Sequence, residues 1–147
     1  APSWVNYQIA RYTLVDDEEI IKEIAEHGVN GFVYNIDTLR TAKGVAVLSF
    51  VKGKSGTYDK EYITSKGNSW EVFDAGIACQ TFCLAAHAKG VGTCIMGVID
   101  DKSIAKIVNL PEDETVAALI VYGYEDGEHA APNKRKDVDE IMRFVDR

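Results

Sequence analysis

A run of three cations near the end of the chain, Lys134-Arg135-Lys136, has the residue types needed to bind an anion. Lys and Arg donate charge-assisted hydrogen bonds to phosphate and carboxylate groups, and three of them together in an acidic protein can form such a site. The alternative is a solvated basic turn, which an isolated run of this kind is more often. The run by itself leaves both interpretations open.

Cys79, Cys83 and His87 recur at four-residue spacing, so they share one face of a predicted helix and could bind a metal ion. A metal site also requires further ligands and polar neighbours, whereas the rest of this helix is apolar. We therefore interpret the two cysteines as core residues beside one satisfied histidine, and predict no metal. Cys94 has no His or Asp close to it in the sequence, and we predict a buried structural thiol rather than a nucleophile.

The composition suits one globular domain over residues 1–147, because 46% of the residues are hydrophobic. The formal net charge of -7 and the sequence pI near 4.9 disfavour binding to nucleic acid, whose phosphates an acidic surface repels. No secretory signal and no uncharged apolar run of membrane-spanning length is found. Three cysteines cannot all pair within one chain, so we predict a reduced, cytoplasmic protein without a membrane partner.

Strands and helices are predicted to alternate along the chain, which indicates a layered α/β or α+β domain. Apolar runs predict strands at 9–15, 44–51, 91–96 and 115–122, and helical periodicity predicts helices at 16–27, 70–89 and 100–108. Residues 29–41 are expected to be irregular, residues 52–69 to form a long surface loop, and residues 137–147 to form a last segment. The helix at 70–89 is apolar nearly all round, so we place it in a core or at a subunit interface.

Four stretches of the chain resemble the FMN-dependent nitroreductase family. Residues 1–8 (APSWVNYQ) are similar to the family's A-P-S-x-x-N-x-Q-P-W segment and depart from it where Ile9-Ala10 replace Pro-Trp. Residues 73–97 are similar to its central helix and the following turn, D-x-G-x-A-x-Q-x-x-x-L-A-A-x-x-x-G-x-G-T-x-x-x-G, which is the most specific match. The Leu110-Pro111 turn with Gly123-Tyr124, and the basic run after Ala131-Pro132, complete the resemblance.

The resemblance implies an α+β fold with a central mixed, mostly antiparallel sheet flanked by helices, in an intertwined homodimer with two FMN sites at the interface. The implied activity is an oxidoreductase that takes hydride from NAD(P)H and reduces nitroaromatics, quinones or similar small-molecule acceptors. Because the cofactor carries this chemistry, no catalytic acid or base is assigned.

The family's cofactor contacts can be carried over onto the matching positions. Pro2, Ser3 and Asn6 would approach the flavin from the partner subunit, with Gln8 near the same edge. Asn35 lies seven residues before Ala42, where the family often has an Asn near the flavin pyrimidine; a turn Asn is the alternative.

Ile95, Met96 and Gly97 would line the N5 edge of the flavin, where backbone amides can face the ring. Lys134 and Arg135 would bind the phosphate.

The family's Arg-rich R-R-S-x-R-x-F segment, which precedes the A-P-S motif, has no counterpart within the sequence, so we expect a copy that lacks this N-terminal segment. That expectation favours an alternative function: a protein with this fold that binds flavin, or has lost it, without redox turnover.

Overall fold

The computed structural model describes residues 1–127 and 131–145 and has a four-stranded sheet at its centre. The strands in chain order are β1 (Ala10–Val15), β2 (Gly44–Val51), β3 (Thr57–Tyr58), β4 (Glu61–Tyr62), β5 (Gly92–Met96) and β6 (Glu114–Gly123). The central sheet has the order β1-β2-β6-β5, and its three pairings are antiparallel, whereas β3 and β4 form a separate hairpin.

Helices cover both faces of the sheet, so the core has two layers. The helices are α1 (Glu18–His27), α2 (Val33–Thr41), α3 (Ser69–His87), α4 (Asp101–Ile107) and the short α5 (Val138–Ile141). Ile24, Leu39 and Ile104 of α1, α2 and α4 are buried against one face, and Ala78 and Cys79 of α3 against the other. The α+β class, with an antiparallel sheet flanked by helices, is confirmed.

The central strand β2 is buried on both faces, as its continuous apolar run predicts. Every residue from Gly44 to Phe50 is buried. The backbone polar groups of a buried strand must be hydrogen-bonded, so β2 needs a neighbouring strand on each side. Its side chains point to both faces of the sheet, so a helical layer must cover each face. The two edge strands are therefore β1 and β5, and both lie beside segments that the sequence assigns to the cofactor site.

The start of α1 follows from its sequence. Asp17 caps the helix, and its carboxylate accepts hydrogen bonds from the backbone N–H groups of Glu19 and Ile20, both at 3.0 Å. Gly28 ends it, as predicted. Ile21, Ile24 and Ala25 form the buried face that packs on the sheet.

The prediction of irregular structure at 29–41 is wrong, because α2 occupies Val33–Thr41. The helix has no side-chain N-cap at Phe32 and fully buries only Leu39. Its sequence therefore lacks both a start signal and a clear apolar stripe. The helix is stabilised by packing against α1 rather than by a pattern visible in the chain.

The predicted long surface loop at 52–69 is largely exposed but contains two short strands that the sequence did not predict. The β3–β4 hairpin lies within it, and its turn residues Asp59 and Lys60 both have left-handed backbones, with φ of 48° and 69°. Ser55 and Thr57 are buried. The buried residues therefore anchor this segment to the body of the protein.

The three cysteines are all free thiols, but they differ in exposure. Cys79 is buried and Cys83 is half-buried, whereas Cys94 is exposed, so the prediction of a buried Cys94 is wrong. The reason is that β5 is an edge strand, and the helices beneath it cover Met96 but leave Cys94 open.

Residues 131–145 lie on the outside of the protein. Every residue from 131 to 145 is exposed, including the apolar side chains of Ile141 and Phe144. The last two positions of the predicted segment 137–147 lie outside the described residues. None of the helices described has the length and apolar character needed to cross a membrane.

Candidate functional site

The N-terminal segment, defined here as Ser3–Gln8, folds into one compact turn. The Ser3 hydroxyl accepts a hydrogen bond from the backbone N–H of Gln8 at 2.9 Å, and the Gln8 side-chain amide donates to the Asn6 side chain at 3.1 Å. The structure thus brings three of the four predicted contacts in this part of the chain together. Pro2, the fourth, is exposed immediately before them.

This segment is held in an uncommon backbone conformation. Val5, Asn6 and Gln8 have φ values of 45°, 55° and 51°, in the left-handed region. Asn tolerates that region, but a β-branched residue such as Val rarely adopts it. The segment is tied down through Trp4, whose backbone N–H donates to the Asp74 carboxylate and whose indole N–H donates to the Thr57 carbonyl at 2.9 Å.

A second group of predicted residues lies at the end of β5. Ile95 is 52% exposed, and Gly97 is exposed, with no atom within 4 Å of a Cβ built on it. Met96 differs, because its side chain is buried in the core at 2% exposure. Only the backbone of Met96 can therefore face a ligand, whereas Ile95 and Gly97 present an open surface.

Asn35 joins this second group, although it is distant in sequence. Its side-chain amide donates to the carbonyl of Val98 at 3.0 Å, directly after Gly97. Asn30 makes the same kind of bond to the next carbonyl, Ile99, at 2.9 Å. These two bonds fix the start of α2 against the chain that leaves β5.

Two exposed aromatic side chains lie just before Asn35 in the chain, and no motif of the sequence marks them. Phe32 is 41% exposed and Tyr34 is 76% exposed, with ring centroids 5.5 Å apart. The Asn35–Val98 hydrogen bond brings the exposed Val98 next to the segment that carries these two rings, which gives an apolar surface beside Asn35 and Gly97, whereas Ile95 lines the groove along α3 on the other face of the sheet. A flat ring can pack on such a surface while the Asn amide and backbone groups bind its polar edge.

The two groups lie at opposite edges of the sheet. The N-terminal segment leads into β1, and Gly97 follows β5, so three strand spacings separate them. At about 4.8 Å per spacing, the lateral separation is about 14 Å, before any offset along the strands is added. Within one chain, the structure therefore does not bring the two halves of the predicted site together.

Lys134 and Arg135 form a third, separate group. Both are exposed in the stretch that precedes α5. Within residues 1–127 and 131–145, no hydrogen bond or ion pair joins them to the N-terminal segment or to the end of β5.

Two buried carboxylates on α3 position the loops near the N-terminal segment. Asp74 is 3% exposed and accepts from Trp4 N–H and from the Ser55 hydroxyl, the latter at 2.5 Å. Glu71 is 4% exposed and accepts from the backbone N–H groups of Gly53, at 2.5 Å, and Lys54, at 3.2 Å. The sequence signal was two acids in the first turns of an apolar helix, and helix-dipole arguments alone do not distinguish them from surface residues.

Burial also perturbs two groups near this helix. Partial desolvation, together with the nearby Glu71 carboxylate, raises the pKa of Tyr62 on β4. Burial, reinforced by Cys83, raises the pKa of the Cys79 thiol to about 11. Both groups are therefore protonated at neutral pH. No cluster of three or more His, Cys, Asp or Glu side chains suited to a metal ion occurs in the part of the chain that the structure describes.

The outer face of α3 is apolar and open. Val72, Phe73 and Leu84 are 62%, 58% and 60% exposed, and a shallow groove of about 300 Å³ runs between this face and Ile95. Gly76, in the middle of the helix, has no atom within 4 Å of a built Cβ. Another helix could approach closely here.

Comparisons with known proteins agree with this architecture. The family model described as "Nitroreductase family" matches residues 1–124. A Bacillus subtilis (strain 168) protein named "Putative NAD(P)H nitroreductase MhqN" is 24% identical over an alignment covering 99% of this chain and 82% of that protein.

Two solved structures are similar in fold. A nitroreductase family protein from Streptococcus pneumoniae TIGR4 has a TM-score of 0.81 at 19% identity, covering 99% of this chain and 83% of that one. An FMN-dependent nitroreductase from Clostridium difficile R20291 has a TM-score of 0.74 at 25% identity, covering 98% and 79%. Because the family model covers most of the sequence, this chain belongs to the nitroreductase family of oxidoreductases.

Proposed function

We propose that the protein is an FMN-dependent oxidoreductase that takes hydride from NAD(P)H and reduces nitroaromatics, quinones or similar small acceptors. The observation that carries the proposal is the surface at the end of β5, where the Asn35–Val98 hydrogen bond brings Asn35 beside the open backbone of Gly97. The names of two similar proteins, an FMN-dependent nitroreductase and an NAD(P)H nitroreductase, support the choice of cofactor and reductant.

The residues at this surface fit a flavin. Nothing lies over Gly97 within 4 Å of a built Cβ, so a planar ring could approach its backbone N–H. The Asn35 side chain could hydrogen-bond a pyrimidine edge through its remaining donor or its oxygen. When bound, FMN would supply the redox chemistry by accepting hydride from the nicotinamide and passing electrons to the acceptor. The role of the protein would be to orient the ring, with Phe32 and Tyr34 excluding water from its face.

The N-terminal segment would act on the flavin of a second copy of the chain. Because Ser3 and Asn6 lie about 14 Å or more from the β5 end of the same chain, a site containing both groups requires two subunits. The exposed apolar face of α3 supports a homodimer, since Val72, Phe73 and Leu84 would otherwise remain in water.

Lys134 and Arg135 are the candidate phosphate contacts. They lie in an exposed tail whose apolar side chains, Ile141 and Phe144 among them, are also open to solvent. Packing of this tail against the second subunit would bury those side chains and could carry the cations to its flavin. The three free cysteines fit a reducing compartment such as the cytoplasm.

A visible spectrum of the purified protein tests the proposal. We expect a yellow protein, or one that becomes yellow on loading with FMN, whose flavin absorbance bleaches on anaerobic addition of NADH or NADPH and returns with a nitroaromatic or quinone. A protein that cannot be loaded with FMN would contradict the proposal. A yellow protein that neither reductant bleaches would be a flavin-binding protein without turnover.

A further inference from the structure

Asp74 and Glu71 make similar bonds with different targets. Both carboxylates lie one turn apart near the start of α3, and both are nearly fully buried. Glu71 binds the backbone of Gly53 and Lys54, in the chain that follows β2. Asp74 binds the backbone of Trp4, inside the N-terminal segment, and the Ser55 hydroxyl. Only Asp74 therefore touches a segment that carries predicted cofactor contacts.

The N-terminal segment requires an external anchor. Its left-handed residues, especially Val5, are in a region that L-residues with branched side chains disfavour. Such conformations persist only where the surrounding structure fixes them. The internal bonds of the segment, such as Gln8 N–H to the Ser3 hydroxyl, keep its shape but do not attach it to the body. Arg11 of β1 donates to the Gln8 carbonyl at 2.7 Å, and attachment to the rest of the body comes from Trp4, through its backbone bond to Asp74, its indole bond to the Thr57 carbonyl and its ring contact with Trp70.

We propose that Asp74 is a positioning residue for the flavin site: it holds the strained turn in the one conformation that presents Ser3, Asn6 and Gln8 to the cofactor. This inference rests on the proposed function. The Asp74 carboxylate accepts from Trp4 N–H with both oxygens, at 3.2 and 3.0 Å, so two acceptor atoms face this donor. The Asp74–Trp4 hydrogen bond connects α3, the helix with the open apolar face, to the N-terminal segment.

The variant Asp74→Asn is nearly isosteric and tests this role. One carboxylate oxygen becomes an NH2 group, which places a donor opposite the Trp4 N–H or the Ser55 hydroxyl. The matched control is Glu71→Gln, which makes the same change one turn earlier at equal burial, but on a residue that does not touch the N-terminal segment.

FMN and riboflavin are titrated into wild type and both variants. We expect Asp74→Asn to weaken both flavins by about tenfold or more and by equal factors, because the loss concerns the ring contacts and not the phosphate. Glu71→Gln should leave both affinities near the wild-type value even where it lowers the melting temperature equally. At saturation, the visible circular dichroism of the bound flavin should change in Asp74→Asn alone.

A second measurement needs no flavin, and its first result comes from the wild type alone. Hydrogen exchange of the wild-type Trp4 amide, followed by NMR, should be slow because the N–H is bonded to a buried carboxylate, and it should be faster in Asp74→Asn than in Glu71→Gln. An unprotected Trp4 amide in the wild type would overturn the inference, even if Asp74→Asn failed to fold. So would unchanged flavin titration in a folded Asp74→Asn. A wild type that bound no flavin would overturn the proposed function as well, whereas a loss confined to Asp74→Asn supports both.

Discussion

The fold itself does not require a glycine at position 97. Its Cβ position is open, so a larger residue would meet no atom of its own chain. We therefore expect Gly97→Val to abolish flavin binding while leaving the fold intact, because the added methyl groups would occupy the space that the ring needs. Flavin titration and circular dichroism of the variant measure the two effects separately.

Gly97→Ala serves as the graded control, because one methyl group should weaken the flavin less than Val does. If Gly97→Val bound FMN as the wild type does, with normal circular dichroism, Gly97 would be a turn residue only.

Lys134 and Arg135 are tested by a comparison of two ligands. Charge-assisted bonds to a phosphate contribute about 1.5–3 kcal/mol each, so removing both cations with Lys134→Ala and Arg135→Ala should weaken FMN by about 100-fold or more. Riboflavin, which lacks the phosphate, should bind the wild type and the double variant almost equally. Calorimetric titration of both ligands provides the measurement.

High salt should reduce the loss of FMN affinity in that double variant if the contacts are exposed, as both side chains are in the isolated chain. Equal losses of affinity for riboflavin and FMN, or no loss for FMN, would show that the basic run is a solvated turn and not the phosphate site.

The cysteines should differ in reactivity with pH. Burial raises the pKa of Cys79 to about 11, so this thiol stays protonated at neutral pH and gains thiolate only as the pH approaches that value. Cys94 is exposed. We expect iodoacetamide at about pH 8 to alkylate Cys94 and to spare Cys79 in the native protein. Peptide mass spectrometry checks this, with urea-unfolded protein as the control in which all three cysteines react.

At the scale of elements, the sequence predicted the helices and strands that carry a local signal, either a continuous apolar run or residues that mark the two ends of a helix. The sequence places β2 correctly because a strand covered on both faces must be continuously apolar. It places α1 because Asp17 and Gly28 mark its two ends. It misses α2, which has no side-chain cap, and the β3–β4 hairpin, whose turn is Asp59-Lys60 rather than the Asn-Gly type.

The residues of the candidate site also divide into those that a local motif predicts and those that only the folded structure brings together. Contiguous motifs identified the N-terminal segment and the end of β5, and the structure adds that Asn35 reaches Val98. The Trp4–Asp74 bond joins residues 70 positions apart, and no local pattern marks such a pair. Burial of a single acid is set by what folds over it, so the role of Asp74 required the tertiary structure.

The cap of α1 gives an element-scale prediction. Asp17→Ala removes the acceptor for two N–H groups in the first turn and should lower the free energy of unfolding by about 1 kcal/mol. Urea denaturation measures this. Asp16→Ala, which removes the same charge one residue earlier, is the control and should have a much smaller effect. Equal effects of the two substitutions would assign the stabilisation to helix-dipole charge instead of the cap.

For the whole molecule, we expect a homodimer built on the outer face of α3. Phe73→Glu with Leu84→Glu places two charges on that face and should shift the protein to a monomer, because burying unpaired carboxylates strongly disfavours association. Sedimentation at micromolar concentration measures the change. Lys22→Glu on α1, at the opposite face of the sheet, is the charge control and should remain dimeric.

A stable wild-type monomer at that concentration would contradict the dimer. A dimer that persists in the double variant would show that the interface does not lie on the outer face of α3.

If the N-terminal segment and the end of β5 both contact the flavin, as proposed, their placement beside opposite edge strands links cofactor binding to subunit association. A site that no single chain can complete does not exist in the monomer. The fraction of protein that holds flavin therefore depends on the protein concentration, through the monomer–dimer equilibrium. On the proposed arrangement, dilution releases flavin as the subunits part, and added FMN draws the subunits together by the same coupling free energy. The colour of the protein then reports its concentration, and the affinity measured for FMN is a property of the assembly, with no value that belongs to the chain alone.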